Sequence, residues 1–348
     1  MIVLLTQCFP PDIGGIETLM GQLARALHEA GEPVTVLADR IRGGAPEPAW
    51  PFEVKRFGGP RPWRRWRKSR ALAAMKNPEI IADSWKSLEA LPDGSRAAFV
   101  FAHGNEALRR DGKRGERLRV ALERAHSVAA NSRYTAGLLA GQHPDIQVVN
   151  LPVRRPGPTE EAARHGNHIV SVGRLEPRKG MDMVIRALPD LPQARYTVVG
   201  DGADRPRLES LASELGVQDR VVFTGAVDEV RRSALLSVAD IFAMPARREA
   251  ASVEGYGLVY LEAAWFSLPS IAGREGGAPD AVLDGETGLL VDGADAGAVR
   301  DALARLIDDA QLRAALGNAA RERVETLTWE AVLPRYLALL RTAPAYVR

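Results

Sequence analysis

Residues 1–39, MIVLLTQCFPPDIGGIETLMGQLARALHEAGEPVTVLAD, decide the fold class. Ile2 to Thr6 is a short apolar run that stops at a turn. Beyond it Ile16, Leu19, Met20, Leu23 and Leu27 recur at the spacing of one buried helix face. Val34 to Ala38 is a second apolar run. Strand, helix and strand in so short a span make a βαβ unit, and uninterrupted apolar strands suit a parallel sheet covered on both faces.

Working outward, the alternation recurs. Phe52 to Phe57 and Ala97 to Ala102 are predicted strands, Arg114 to Ala125 a helix, and Ser127 to Ala130 a strand leading into NSRYTAGLL, a helix start. Residues 58–95 match no pattern. The Pro, Gly and charge-rich stretch NLPVRRPGPTEEAARHGN at 150–167 has the character of a linker. From His168 a second series begins, with strands at IVSVG, YTVVG, RVVFTG, DIFAMP and PSIAG. Helical segments such as GMDMVIRALPDL and GLVYLEAAWFSL lie between them. The expected organisation is two doubly wound α/β domains, 1–150 and 168–327, joined by a linker at 151–167. A last helix within 328–348, containing TWEAVLPRYLALL, is expected to return to the first domain. Doubly wound folds bind ligands at the carboxyl ends of their strands, so the expected site is a cleft between two such domains.

Composition narrows the class. The 348 residues are enough for two domains at roughly 100–200 residues each. One cysteine, Cys8, builds no internal disulfide framework, and six scattered histidines give no zinc-ligand spacing. The first residues lack a basic segment followed by an apolar one, and no run of about 18 apolar residues occurs, so a cytoplasmic location is expected. The net charge of +2 is unevenly distributed. Residues 1–150 hold 22 Lys and Arg against 16 Asp and Glu, a net of +6, leaving 24 against 28, a net of −4. Much of the excess sits in PRPWRRWRKSR at 60–70, where six cations surround Trp63 and Trp66. Trp63, Arg64, Arg65, Trp66, Arg67 and Lys68 fit an amphipathic patch on an anionic membrane, a nucleic-acid groove, or a solvated helix.

Chemistry-bearing residues concentrate in the second series: GRLEPRKG at 173–180, PARREAASVEGYGLVYLEA at 245–263 and GGAPD at 276–280. Arg174 and Lys179 follow a strand and precede a helix, where cations and a helix start together favour a diphosphate. An isolated Arg–Lys pair is more often solvated surface. Glu254 and Glu262 are separated by seven residues, with Gly257 placed to open a helix and leave its first amides unpaired. Glutamates around a helix start are ordinarily surface as well. Gly14 and Gly15 lie between the first strand and helix, and His103 closes the strand FVFAH, at the edge where a sheet presents catalytic groups. Each has a structural reading too, as a plain turn and a packed histidine.

As an ordered set, FPPDIGGIE, HGNE, GRLEPRKG, the paired glutamates and GGAPD resemble the retaining glycosyltransferases of family four, over essentially the whole chain. The segment ADIFAMPARREAASVEGYGLVYLEA is similar to that of bacterial mannosyltransferases that transfer mannose from GDP-mannose to phosphatidylinositol mannoside. The resemblance implies the GT-B fold and metal-independent hexosyl transfer, with mannose and GDP-mannose favoured and a lipid-linked or glycan acceptor. No cofactor and no nucleic-acid partner are implied. Arg174 and Lys179 would neutralise the departing diphosphate, and no DxD carboxylate pair is present to hold a metal there. Glu254 would hold donor-sugar hydroxyls and Glu262 the ribose diol. Gly257 and Leu258 would offer backbone amides, and Gly200 and Gly202 would let the backbone approach the nucleotide. Gly14 and Gly15 would meet the diphosphate and acceptor, and His103 would lie near the anomeric centre. Front-face displacement follows, with the leaving phosphate accepting the acceptor's proton. Basic surfaces of the first domain would dock to membrane, making the enzyme peripheral on the inner face of the cytoplasmic membrane.

The sequence departs from that pattern in RREAASVE, where glycines are usual, and at Asp280, where Glu is common. A UDP-sugar-dependent transferase with a soluble or polysaccharide acceptor is the alternative within the family. A dinucleotide dehydrogenase fails because QCFPPDIGG lacks the G-x-G-x-x-G fingerprint. A non-catalytic nucleotide-sugar or nucleic-acid binding protein sharing the fold is the alternative from another class.

Overall fold

A computed structural model describes residues 1–12, 14–41, 46–105, 107–108, 112–159, 164–250 and 252–343. The chain divides into two units, Met1–Pro152 with Trp329–Arg348, and Val153–Thr328.

In the first unit the elements run β1 (Ile2–Leu5), α1 (Gly15–Glu29), β2 (Val34–Asp39), β3 (Glu53–Phe57), α2 (Arg61–Ala73), β4 (Glu79–Ala82), α3 (Trp85–Leu88), β5 (Ala97–Ala102), α4 (Gly112–Leu122), β6 (Ala125–Ala130), α5 (Arg133–Leu139) and β7 (Ile146–Val148). The sheet is parallel, ordered β3-β2-β1-β4-β5-β6-β7, with Ile2 opposite both Val34 and Glu79. Strand order therefore reverses between β1 and β4, the topological switch point of a doubly wound sheet. Val3, Leu5, Leu37, Val100 and Val128 are fully buried in one core. Leu19, Met20, Leu23 and Leu27 bury the apolar face of α1 as the spacing requires. The expected helix over 114–125 ends earlier, at Leu122, because Ala125 already pairs with Ala97 in β6. Strand β4, a four-residue EIIA, and helix α2 occupy the unassigned stretch 58–95.

The second unit repeats the plan with β8 (His168–Val172), α6 (Met181–Ala187), β9 (Arg195–Val199), α7 (Arg205–Glu214), β10 (Val221–Gly225), α8 (Glu229–Ser237), β11 (Ile241–Met244), α9 (Leu258–Ala264), β12 (Ser270–Gly273), α10 (Ala278–Ala281), β13 (Gly288–Val291), α11 (Ala296–Asp308) and α12 (Ala310–Glu325). Its parallel sheet is ordered β10-β9-β8-β11-β12-β13, so the order reverses between β8 and β11. Polar residues set the helix starts. Asp228 accepts from Arg231 N at 2.7 Å, Asp295 from Gly297 N at 2.8 Å and Asp309 from Leu312 N at 2.8 Å. Such caps contribute about 1 kcal/mol each.

Helix α13 (Trp329–Thr342) belongs to the first unit. Trp329 Nε1 donates to Gln22 Oε1 of α1 at 2.9 Å, and Tyr336 lies between Phe99 and Phe101 of β5, with ring centroids 5.9 and 5.3 Å away. None of the helices, among the described residues, is long and apolar enough to cross a membrane.

Candidate active site

In the second unit the loop after β8 folds as a single turn of 3-10 helix, Pro177–Lys179, just before α6. That turn aims Lys179 and Arg178 at the same carboxylate. Lys179 Nζ lies 2.5 Å and Arg178 Nη1 3.0 Å from Glu254 Oε2, and Oε1 takes no bond among the described residues. Burial by itself would raise the Glu254 pKa, but the two cations pull it below the ordinary carboxylate value. Arg178 Nε also donates to Glu176 at 2.9 Å, and Glu176 pairs with Arg174 at 3.2 Å. The result is a line of alternating charge: Arg174, Glu176, Arg178, Glu254, Lys179. Arg174 is its outer end, 67% exposed, and reaches Glu254 only through two intermediates. Arg178 is the residue that sequence reasoning missed, although it sits beside Lys179 with the same chemistry.

The loop carrying Glu254 is tied down at both ends. Arg247 N donates to Arg178 O at 2.8 Å, while its guanidinium clasps buried Asp182 of α6 at 2.9 and 3.1 Å. Gly277 N of the GGAPD motif donates to Glu254 O at 2.8 Å. A Cβ on Gly276 would overlap that carbonyl oxygen, which accounts for glycine there. Asp280 is buried in the first turn of α10.

Gly257 has φ 89°, the left-handed conformation, and caps α9, so Leu258 is the first helical residue as expected. One turn on, Glu262 Oε2 lies 3.2 Å from Arg232 Nε of α8, yet it accepts no hydrogen bond from it. That oxygen is sealed from solvent, while the side chain as a whole keeps 23% exposure. Burial raises the Glu262 pKa; Arg232 opposes the rise and Glu229 adds to it. Arg232 lies 30 positions from Glu262 in the chain, and no local signal connects them.

Gly200 and Gly202 each have a packing reason within the second unit. A Cβ on Gly200 would overlap the carbonyl oxygen of Gly173, and one on Gly202 that of Leu175. The backbone these glycines admit is that of the neighbouring GRLEPRKG loop, which Leu175 N and Asp201 O fasten at 3.0 Å. They position Lys179 and Arg178 by setting the loop that bears them.

In the first unit His103 follows β5, and its Nε2–H donates to Asp83 O at 2.8 Å, which places a ring proton on Nε2. The fully buried Asp83 carboxylate ties the ends of two strands together. It accepts from Thr6 Oγ1 at 2.8 Å, Gln7 N at 2.9 Å and Ser87 Oγ at 2.5 Å. A Cβ on Gly14 would meet first the end of the Glu17 side chain, and one on Gly15 would meet nothing within 4 Å among the described residues. Packing among the described residues requires neither glycine.

Helix α2 corrects the expectation of a uniformly surface-facing basic segment. Lys68 is only 3% exposed, and its Nζ donates to Thr6 O at 2.6 Å and Asp39 Oδ1 at 2.7 Å. Burial pushes its pKa down while Asp39 pulls it back. Arg64 pairs with Asp39 at 2.7 Å, and Arg65 with Glu89. These three cations turn inward because two carboxylates lie beneath them, Asp39 at the end of β2 and Glu89 just after α3. Trp63 and Trp66, 55% and 47% exposed, stack at 4.8 Å on the outer face with Arg67 and Arg70.

Two parallel doubly wound units of this kind recur in solved enzymes. Sucrose-phosphate synthase from Thermosynechococcus elongatus superposes with a TM-score of 0.84, at 24% identity over 98% of both chains. The Anabaena protein HepE, solved with UDP, gives 0.76 at 18% identity over 98% of this chain and 99% of its own. The architecture is GT-B, the fold of a class of glycosyltransferases. Residues 13–154 match the family described as Glycosyltransferase Family 4, and residues 159–323 that described as Glycosyl transferases group 1. A GDP-mannose-dependent alpha-(1-6)-phosphatidylinositol monomannoside mannosyltransferase of Mycolicibacterium smegmatis is 33% identical over 92% of each chain. Its namesake from Mycobacterium tuberculosis is 31% identical over 94% of each. The chain belongs to the family-four, group 1 glycosyltransferases and is a hexosyltransferase.

Proposed function

We propose that the protein is a retaining, metal-independent transferase that moves mannose from GDP-mannose to a lipid-linked acceptor. The observation that carries this reading is the pair Arg178 and Lys179 converging on Glu254 at the end of β8. Two cations on one carboxylate leave a net positive charge in a nearly sealed site, suited to a diphosphate that gains charge as it leaves. The acceptor oxygen attacks the anomeric carbon, the bond from that carbon to the diphosphate oxygen breaks, and the acceptor proton passes to the departing phosphate. Lys179 and Arg178, with Arg174 further out, absorb the charge that develops. Glu254, its Oε1 uncommitted, accepts from sugar hydroxyls. Glu262 receives the ribose diol, Leu258 and Gly257 present backbone to the phosphate or sugar, and His103 serves the acceptor side of the chemistry. GDP and mannose are favoured by the names of two relatives that are similar over more than nine-tenths of the chain.

The stacked Trp63 and Trp66 pair, with Arg67 and Arg70 beside it, would dock the first unit on an anionic membrane surface. Liposome co-sedimentation that falls with salt is the expected result, and no binding at low ionic strength removes this part of the reading.

A thermal-shift panel of GDP, UDP and ADP sugars tests the donor. A ligand at 100 times its dissociation constant stabilises by about 2.7 kcal/mol. GDP-mannose is expected to give the largest shift; a larger one from a UDP sugar reassigns the base, and no shift from any nucleotide refutes the transferase reading.

A further inference from the structure

The turn from β1 into α1 carries Gly14 and Gly15, and packing among the described residues makes no demand at either. Its conformation therefore depends on what holds the chain on each side of it. Helix α1 is one support. On the other side Gln7 N donates to Asp83 Oδ2 and Cys8 N to Thr6 Oγ1, each at 2.9 Å, which fixes the chain as it leaves the strand. Phe9, next in line, is fully buried.

Pro10 is then held from two sides. Arg56 stands near the carboxyl end of edge strand β3, opposite Ala38 of β2. Its guanidinium reaches across the end of β2, where Nη1 donates to Asp39 O at 3.2 Å, and Nη2 goes on to donate to Pro10 O. The same group lies over the Phe9 ring, 5.4 Å from its centroid. Glu47 fixes it from outside, accepting from Nε at 2.7 Å and from Nη2 at 3.0 Å. Glu47 also accepts from Trp50 Nε1 at 2.8 Å, and the Trp50 ring centroid is 5.1 Å from that of Phe9. A planar fork of N–H donors can serve three acceptors and cover an aromatic face at once, which a lysine ammonium cannot. Gly21 of α1 supports the opposite side: a Cβ there would come within 2.6 Å of Pro10 Cγ, so the helix is notched where the loop crosses it.

We propose that Arg56 is a positioning residue for sugar transfer: by bonding the Pro10 carbonyl and covering Phe9, it sets the turn that presents Gly14 and Gly15 to the reacting groups. Arg56 touches no substrate in this scheme and acts through the loop alone. The proposal rests on the reading of the chain as a transferase whose first turn meets the diphosphate and acceptor.

The test compares the full-length wild type with Arg56→Met, Gly21→Ala and the double variant, at a temperature where circular dichroism shows all four folded. Three quantities are measured: kcat for transfer from GDP-mannose to a mannosylated phosphatidylinositol, GDP affinity by calorimetry, and amide hydrogen exchange across residues 7–15. Arg56→Met is expected to lower kcat about tenfold to a hundredfold, the scale of a misplacement of about 1 Å, with GDP affinity unchanged. Exchange across residues 7–15 should quicken while that of β5 stays as in wild type. Gly21→Ala displaces Pro10 from the other side and should act in the same direction, so the proposal survives a failure of Arg56→Met to fold. Because both changes act on one loop, the double variant should lose much less than the product of the two single losses. A lower melting temperature with wild-type kcat, a lower kcat with unaltered exchange across the loop, or losses that multiply in full overturn the proposal. Wild type that transfers from no sugar nucleotide is a separate result against the transferase reading, and the exchange comparison then decides by itself whether Arg56 holds the turn.

Discussion

Glutamine at 254 removes one negative charge and keeps the side chain's shape. Glu254 Oε2 holds Lys179 at 2.5 Å and Arg178 at 3.0 Å, and all three side chains are nearly sealed from solvent. Removing one partner of a buried pair costs about 3–5 kcal/mol because the other charge stays behind. Glu176 keeps its bond to Arg178, so only Lys179 is stranded and the low end, about 3 kcal/mol, applies. At about 2–4 °C per kcal/mol for a domain of this size, Glu254→Gln should lower the melting temperature of the second unit by about 6–12 °C. The pH dependence has a definite sign. The folded pKa of Glu254 is depressed, so its contribution is complete above the unfolded carboxylate value of 4.5 and is lost as pH falls through the folded value. The gap between wild type and variant, followed by differential scanning fluorimetry, should be constant near neutrality and close below 4.5. GDP supplies the missing negative charge, so saturating GDP should raise the variant's melting temperature more than the wild type's, while mannosyl transfer falls. Coincident melts at neutral pH, or GDP stabilising the variant less than wild type, refute the reasoning.

Lys179→Ala should cut turnover by roughly 10²–10³, as for loss of one stabilising donor at a developing charge; near wild-type steady-state transfer removes Lys179 from its role. Arg232→Met strips Glu262 of the cation opposing its raised pKa, so donor KM should rise and the acid limb of kcat/KM should move to higher pH. An unmoved acid limb separates Arg232 from donor binding. Gly202→Ala drives a Cβ into the Leu175 carbonyl and should displace the loop bearing Arg178 and Lys179. GDP titration should show weaker binding, and unchanged affinity contradicts the positioning role. Asp295→Ala removes the α11 cap for about 1 kcal/mol, or about 2–4 °C in a thermal melt, with donor KM unchanged.

The fold was legible wherever burial on both faces leaves strands predominantly apolar. The runs at Ile2, Val34, Ala97 and His168 are such strands, and the 3.6-residue pattern of α1 fixed what lies between the first two. Residues 58–95 resisted because α2 carries its buried face on Lys68 and Leu72, where a stripe of apolar residues would have declared a helix. The inward turn of Arg64, Arg65 and Lys68 depends on Asp39 and Glu89, which only the tertiary structure brings beneath them. In the site, Lys179 and Glu254 were readable from motif order, and their contact gives that order a physical basis. Arg178 was readable by the same chemistry and passed over. Arg232, Arg247 and Asp83 act through long-range contacts that leave no periodic or local mark.

The most direct test follows the reaction itself by NMR, with the full chain, GDP-mannose and a mannosylated phosphatidylinositol acceptor in the presence of EDTA. The account predicts one GDP released for each mannose transferred, with the donor's α configuration kept in the product. No release of GDP, an inverted linkage, or activity that returns only when a divalent metal is restored would contradict it.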